Sequence, residues 1–311
     1  MKIVLVLIAL PILAVLLTYL LAPRVLLKFA INAQRRKGGL VQKSIKVGGL
    51  DWPYLEGGDP AGKPLVLVHG FGGDKDNWAF YAPHVKQNYR LIFPDLPGFG
   101  EATRDPALDY SGVLQAERLR DFLDALKLDK VHLGGNSMGG YIALLFALAH
   151  SARLRSLTLF NNAGVLGTEP SDLQSMVEAD PGASPLVPRS PAELRQLLAF
   201  VVHRPRFIPG QFLAVMFSDS APHLPLLDRI FAQLADDMLN HALNDRLGEV
   251  KLPVQIIWGR HDRLIDVTCA EVQHAGIAGS ELVIFDDVGH VPMIEKPVET
   301  AQHQLAFLAK H

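Results

Sequence analysis

The sequence predicts an α/β fold: a mostly parallel central sheet with helices on both faces, a helical insertion, and an N-terminal transmembrane helix. Three observations predict it. Short runs of branched apolar residues recur between helical stretches, as buried parallel strands do. Glycine-rich turns follow two of those runs, and chemistry collects at strand ends in such sheets. The chain also opens on one long uncharged apolar run.

That run comes first. Residues 3–23 carry no charge, and only Thr18 and Tyr19 are polar or half-polar. About 20 apolar residues at ~1.5 Å rise cover the ~30 Å hydrocarbon core. Tyr19 stands where an interfacial aromatic would, and a membrane helix tolerates a kink at Pro11. The run exceeds the ~7–15-residue core of a signal peptide, and no small-x-small cleavage site precedes the basic stretch. Residues 1–23 are therefore assigned as an uncleaved single-pass anchor. Residues 24–38 read as a basic amphipathic juxtamembrane helix. Arg24, Lys28 and Arg35 share one face; Val25, Leu26, Phe29, Ala30 and Ala33 lie on the other. Contact with headgroups and packing on the domain fit this pattern equally.

Eight of the 30 Lys and Arg residues lie within the first 50 positions, together with none of the 32 acids, so the body is acidic. Only Lys2 precedes the run, whereas Arg24, Lys28, Arg35, Arg36 and Lys37 follow it. The positive-inside rule then puts the body in the cytoplasm, although a lipid-binding arm needs the same charges on either side.

The body spans residues 39–162 and 250–311. Residues 44–47 and 50–55, joined by Gly48-Gly49, read as a hairpin. Strands follow at 65–68, 90–93, 131–133, 157–160, 254–258 and 282–285. Residues 112–126 form a helix with Leu114, Leu119, Phe122, Leu123 and Leu126 among charges. Residues 138–149 are apolar almost all round, hence a buried helix. Residues 297–308 close the chain.

Residues 163–249 interrupt the alternation. About 85 residues exceed any ordinary loop. Helix-like pieces at 169–179, 190–202, 207–217 and 227–247 are punctuated by Pro and Gly, so the insertion reads as a helical cap or lid. Its apolar residues, among them Leu194, Leu197, Phe200, Phe207, Phe212 and Met216, suit either an acyl tunnel or plain packing on the core.

Composition excludes several classes. A net charge of −2 argues against a nucleic-acid binder. A lone cysteine, Cys269, excludes an internal disulfide and any Cys₂–Cys₄ metal site. No H-E-x-x-H, no close His/Asp/Glu cluster and no dinucleotide glycine fingerprint occur, so no metal or organic cofactor is expected.

Gly135-Asn136-Ser137-Met138-Gly139 fits G-x-S-x-G between an apolar strand and an apolar helix, the context that motif requires. The sharp turn holds the Ser137 hydroxyl over the sheet at a helix N-terminus, which favours developing negative charge. His69-Gly70-Phe71-Gly72-Gly73 ends another strand in a glycine loop. Acyl transfer needs two N–H donors aimed at an oxyanion, and Phe71 and Met138 are the candidates. His69 is not nominated as a base. An acid and a base follow in the order this arrangement demands: Asp262 just past one strand, His290 just past the next. Asp262 would orient the imidazole, and His290 would take the Ser137 proton. Asp266 is the reserve acid; Asp286 and Asp287 read as solvated turn carboxylates.

With these residues in place, the chain resembles the α/β-hydrolase superfamily over residues 45–309. Five ordered motifs carry the likeness: His69 to Gly73, Asp95-Leu96-Pro97-Gly98-Phe99-Gly100, Gly135 to Gly140, Trp258-Gly259-Arg260-His261-Asp262 and Gly289-His290. More narrowly it resembles membrane-anchored monoacylglycerol lipases and bacterial lysophospholipases and phospholipases A with one N-terminal span. The anchor, the Trp78 region and Gly289-His290-Val291-Pro292-Met293-Ile294-Glu295-Lys296-Pro297 support this. The resemblance implies hydrolysis of long-chain acyl esters, a membrane and a lipid substrate as partners, and a bacterial inner membrane as location. The elbow is also similar to that of carbon–carbon hydrolases, but those carry a Trp shortly after the histidine, where Val291-Pro292-Met293 stands here. A thioesterase would share every motif. A non-catalytic tethered scaffold is disfavoured by the intact Ser137, Asp262 and His290. A homodimer is left open: the span and the amphipathic arm could self-associate, but the span has no G-x-x-x-G.

Overall fold

The computed structural model describes residues 10, 13, 15–180, 182 and 184–311. Residues 1–9, 11, 12 and 14 of the expected anchor lie outside them. Among the described residues no single helix is long and apolar enough to cross a membrane. Val15–Leu21 and α1 (Pro23–Gly38) have the length and composition as a pair, bent by 114°. Pro23 explains the break: it lacks an N–H and its ring suits the first position of a new helix. At the other end Gly39, at φ 67°, closes α1 with N–H bonds from Gly39 and Leu40 to the Arg36 and Arg35 carbonyls.

The faces of α1 are not disposed as a headgroup-facing basic stripe would be. Arg24 pairs with Asp219 at 2.5 Å and donates to Ser218 Oγ, and Arg35 makes a two-pronged pair with Asp76. Of the two dispositions the pattern fits equally, Arg24 and Arg35 take packing on the protein. Val25 and Phe29 face outward, 59% and 66% exposed.

The strands are β1 (Val41–Val47), β2 (Leu50–Gly58), β3 (Lys63–Val68), β4 (Tyr89–Pro94), β5 (Val131–Asn136), β6 (Leu154–Phe160), β7 (Val254–Gly259) and β8 (Glu281–Phe285). Among the described residues they form one sheet in the order β1-β2-β4-β3-β5-β6-β7-β8. β2 is antiparallel to both β1 and β4; all other neighbours are parallel. Gly48 and Gly49, both at positive φ, make the two-residue turn between β1 and β2. After β3 the chain steps to β4 on one side and then to β5 on the other. The order reverses there, which opens a crevice at the strand ends.

The helices after α1 are α2 (Ala82–Val85), α3 (Gly112–Ala125), α4 (Met138–His150), α5 (Asp172–Ala179), α6 (Pro191–Val201), α7 (Gly210–Ser220), α8 (Leu224–Asn240), α9 (Thr268–Gly276), α10 (Pro292–Glu295) and α11 (Pro297–Leu308). Strand alternation sends side chains to two cores. Ile256 and Trp258 pack with α3, α4 and α9 on one face; Ile257 packs with Trp78, α2 and α11 on the other. Helix α4 is buried from Met138 through Ala147, as its all-round apolar surface requires.

The insertion between β6 and β7 holds α5 to α8. The single helix expected over 227–247 is instead α8, followed by a 3₁₀ turn at Asn244–Glu249. The break brings Leu243 into the core, where its N–H donates to Gly164 O. Helices α2, α9 and α10 have no counterpart in the sequence expectations; they are short and carry little periodic signal.

Candidate active site

The turn between β5 and α4 is tight at every glycine. A Cβ on Gly135 would lie 2.2 Å from Gly139 O; one on Gly139, 2.4 Å from Val68 O and His69 O; one on Gly140, 2.3 Å from the Asn162 Cβ. Ser137 itself sits at φ 56°, ψ −122°. A non-glycine residue held there stores roughly 1–3 kcal/mol of strain, which the surrounding packing must sustain. The Ser137 N–H donates to Phe160 O, and its carbonyl accepts from Tyr141 and Ala163. The backbone is thus pinned while the hydroxyl faces a cavity.

The glycine loop after β3 lies against this turn because Val68 and Gly135 pair in the sheet. A Cβ on Gly70 would come within 3.2 Å of Ser137 Cβ. Among the described residues the N–H groups of Phe71 and Met138 donate to no acceptor. Both border the cavity with Ser137. The His69 ring bonds Gly70 O through Nδ1 and accepts the Leu96 N–H at Nε2. Burial holds its pKa below the ordinary value. Behind the loop, Lys75 Nζ pairs with Asp95 at 2.8 Å, the two side chains 2% and 0% exposed. Asp95 also accepts the backbone N–H of Lys75 and of Glu101, so it ties this loop to the turn after β4.

His290 and Asp262 stand together. The His290 Nδ1–Asp262 Oδ2 distance is 2.7 Å, and the carboxylate partner assigns the proton to Nδ1. Asp262 Oδ1 accepts the N–H of Leu264 and Ile265, and Oδ2 also accepts from Asn161 Nδ2 at 2.7 Å. Asp266 instead caps Thr268, through its N–H and hydroxyl. Asp286 and Asp287 pair with Arg260 and Lys296 at the surface. Among the described residues no hydrogen bond joins Ser137 Oγ to His290; such contacts are often long before a substrate arrives.

Two residues the sequence reading passed over join the halves of the site. Asn136 Nδ2 donates to Phe160 O and His290 O, each at 3.0 Å. Asn161 braces Asp262. A motif that leaves its second position free hides Asn136, and only the polar pair Asn161-Asn162 after an apolar strand hints at the other.

The cavity beside Ser137 holds about 130 Å³ and is mostly apolar. Its insertion side combines α5 and α8 (Leu173, Val177, Phe231, Leu234 and Met238) with the segment just after β6 and Leu186. The apolar residues that suited either an acyl tunnel or plain packing do not line it; Phe207 is 84% exposed and Phe212 meets Tyr19 edge to face. A polar cavity of about 360 Å³ lies at the seam between insertion and core, lined by Ser171, Asp172, His203, His261 and Arg263.

Comparison with known proteins agrees with this layout. The Alpha/beta hydrolase family matches residues 65–303. Lipase 1 of Psychrobacter immobilis is 33% identical over 280 residues, covering 89% of this chain and 87% of that one. Monoacylglycerol lipase ABHD6 of Mus musculus is 30% identical over 309 residues, covering 97% and 92%. Among solved structures, a bacterial membrane phospholipase A superposes with a TM-score of 0.89 at 37% identity, covering 100% and 99%. Fold, strand-end motifs and relatives converge: this chain belongs to the alpha/beta hydrolase family.

Proposed function

We propose that this chain is a membrane-tethered serine hydrolase that cleaves the acyl esters of lipids such as monoacylglycerols, lysophospholipids or phospholipids. The observation that carries the reading is the braced His290–Asp262 pair beside a strained Ser137 that opens on an apolar cavity. Relatives named lipase, monoacylglycerol lipase and membrane phospholipase A support an ester hydrolase. Residues 163–249 act as a cap, and the N-terminal run with α1 holds the site at the bilayer.

In this reading the Ser137 oxygen attacks the ester carbonyl carbon while its proton moves to His290 Nε2. The carbonyl electron pair moves onto oxygen, which the Phe71 and Met138 N–H groups receive. Collapse expels the alcohol, protonated by His290, and leaves an acyl-Ser137. Water then gives a proton to His290 and attacks the acyl carbon. Fatty acid leaves, and Ser137 recovers its proton. Asp262 stays ionised and steadies the imidazolium. The cavity holds less than the ~300–1,000 Å³ usual for ligand pockets, and in this reading the cap moves outward to admit a long acyl chain.

The test is fatty-acid release from monoacylglycerol, lysophospholipid and diacyl phospholipid by full-length protein in detergent. Ser137→Ala should lower the rate about 10⁴-fold or more, and the ranking of the lipids sets the substrate class. Equal release by parent and variant from every lipid would sink the reading.

A further inference from the structure

The three backbone N–H groups around His290 are all taken. Gly289 N–H donates to Glu295 Oε1 at 2.9 Å, and Val291 N–H reaches the same oxygen at 3.4 Å. His290 N–H donates to Val201 O, the last residue of α6, at 2.9 Å. The second Glu295 oxygen, Oε2, accepts the His203 N–H at 2.8 Å. A Cβ on Gly289 would stand 2.6 Å from His203 N, so the His290 loop and the end of α6 meet backbone to backbone.

We propose that Glu295 is a positioning residue for His290: its carboxylate fixes the 289–291 loop and locks it to residues 201–203 of the insertion. This rests on the reading of His290 as the base. A carboxylate suits the task because both oxygens accept strong charge-assisted bonds. Burial raises the Glu295 carboxyl above its ordinary value even though three N–H groups oppose that rise, which marks a group withdrawn from solvent for structural reach. The direction of the imidazole then depends on where the insertion sits. A cap that moves to admit an acyl chain moves His203, and Glu295 passes that movement to the base.

Glu295→Gln separates the two bonds. Glutamine has the same shape, and its one carbonyl oxygen keeps either the loop or the insertion. Its amide nitrogen faces the other donor, N–H against N–H. Full-length parent and variants are assayed with a short-chain p-nitrophenyl ester, reading kcat, KM and Tm. Glu295→Gln should lower kcat about 10- to 100-fold, the usual cost of slight misplacement, with KM within about twofold and Tm within about 4 °C.

A second pair reaches the contact without touching Glu295. His203→Pro removes the donated N–H, and Val202 is already extended, as a residue before proline should be. His203→Ala keeps that N–H. The proline variant should lose kcat and the alanine variant should not. A Glu295→Gln kcat within twofold of the parent, or equal effects of the proline and alanine variants, would overturn the proposal. Parental activity in His290→Ala would instead overturn the base reading.

Discussion

Ser137, Asp262 and His290 were legible as residues because each sits in a local pattern that needs no partner to be recognised: a glycine-flanked serine, and an acid and a histidine just past strands. Asn136, Asn161 and Glu295 were not, because their meaning is a contact across 154, 101 and 92 positions. His132 is a different case, a histidine at the far end of β5 from Ser137. It is buried at the start of β5, bonded to Ser156 Oγ, with Nε2 unpartnered. Burial first, then Lys63, Arg155 and His311, lowers its pKa from 6.5 to about 4. The unfolded chain takes up that proton near pH 6.5 and the folded chain only near 4. Stability from this group is therefore full above pH 6.5 and falls on acidification, by about 2 kcal/mol at pH 5. Asp74, which burial pushes up to about 6, works the other way, but it is common to parent and variant and cancels. His132→Asn keeps a polar atom near Nδ1 and should unfold in urea with less acid sensitivity. Equal loss between pH 7.5 and pH 5 in both proteins would show that His132 is not the group responsible.

At the scale of elements, the β strands and long core helices followed from periodicity, and each strand ran slightly longer in space than in the sequence reading. The insertion did not follow. Its helices are amphipathic, but periodicity cannot say which apolar stripe meets the core and which faces a cavity. The cavity wall fell to α5 and α8 rather than to the Phe- and Leu-rich stretch of α6 and α7. The turn holding Phe71 is likewise an assembly of elements. It is anchored by Lys75 against Asp95, which accepts three hydrogen bonds from two loops. Asp95→Ala would leave a buried ammonium without its partner there, since Glu101 is its remaining contact and is mostly exposed. Such a loss costs about 3–5 kcal/mol. Denaturant unfolding should show the extrapolated free energy fall by that amount, as a lower midpoint at unchanged slope. By contrast, Arg24→Ala breaks a pair half exposed on both sides and should cost at most about 1 kcal/mol. If the two variants unfold alike, the buried pair is not what holds the loop.

Over the whole molecule, charge and hydropathy are segregated along the chain, with base and apolar length at the front and acid behind. This arrangement explains a feature of α1 that its own sequence does not. Arg24 and Arg35 find acids on the body, and pairing them there turns Val25 and Phe29 outward; Leu16, Leu20 and Leu21 of the preceding run are exposed as well. Exposed apolar residues that follow one another along the chain in this way call for a cover. The bilayer is the cover we propose, and it would hold the site over its own substrate rather than wait for lipid to partition into solution. Leu16→Arg tests this at the scale where it acts. A cation inside the run costs about 2.5–3.5 kcal/mol of insertion, roughly a hundredfold in partitioning. The variant should shift from the carbonate-resistant membrane fraction to the soluble one, whereas Leu16→Phe should not. It should keep its rate on a short-chain ester in detergent, because among the described residues the hydrogen bonds of Ser137, His290 and Asp262 all go to the body and the insertion, and lose rate on esters embedded in vesicles. Full retention of Leu16→Arg in the membrane would mean that α1 and the cap, not the apolar run, carry the attachment.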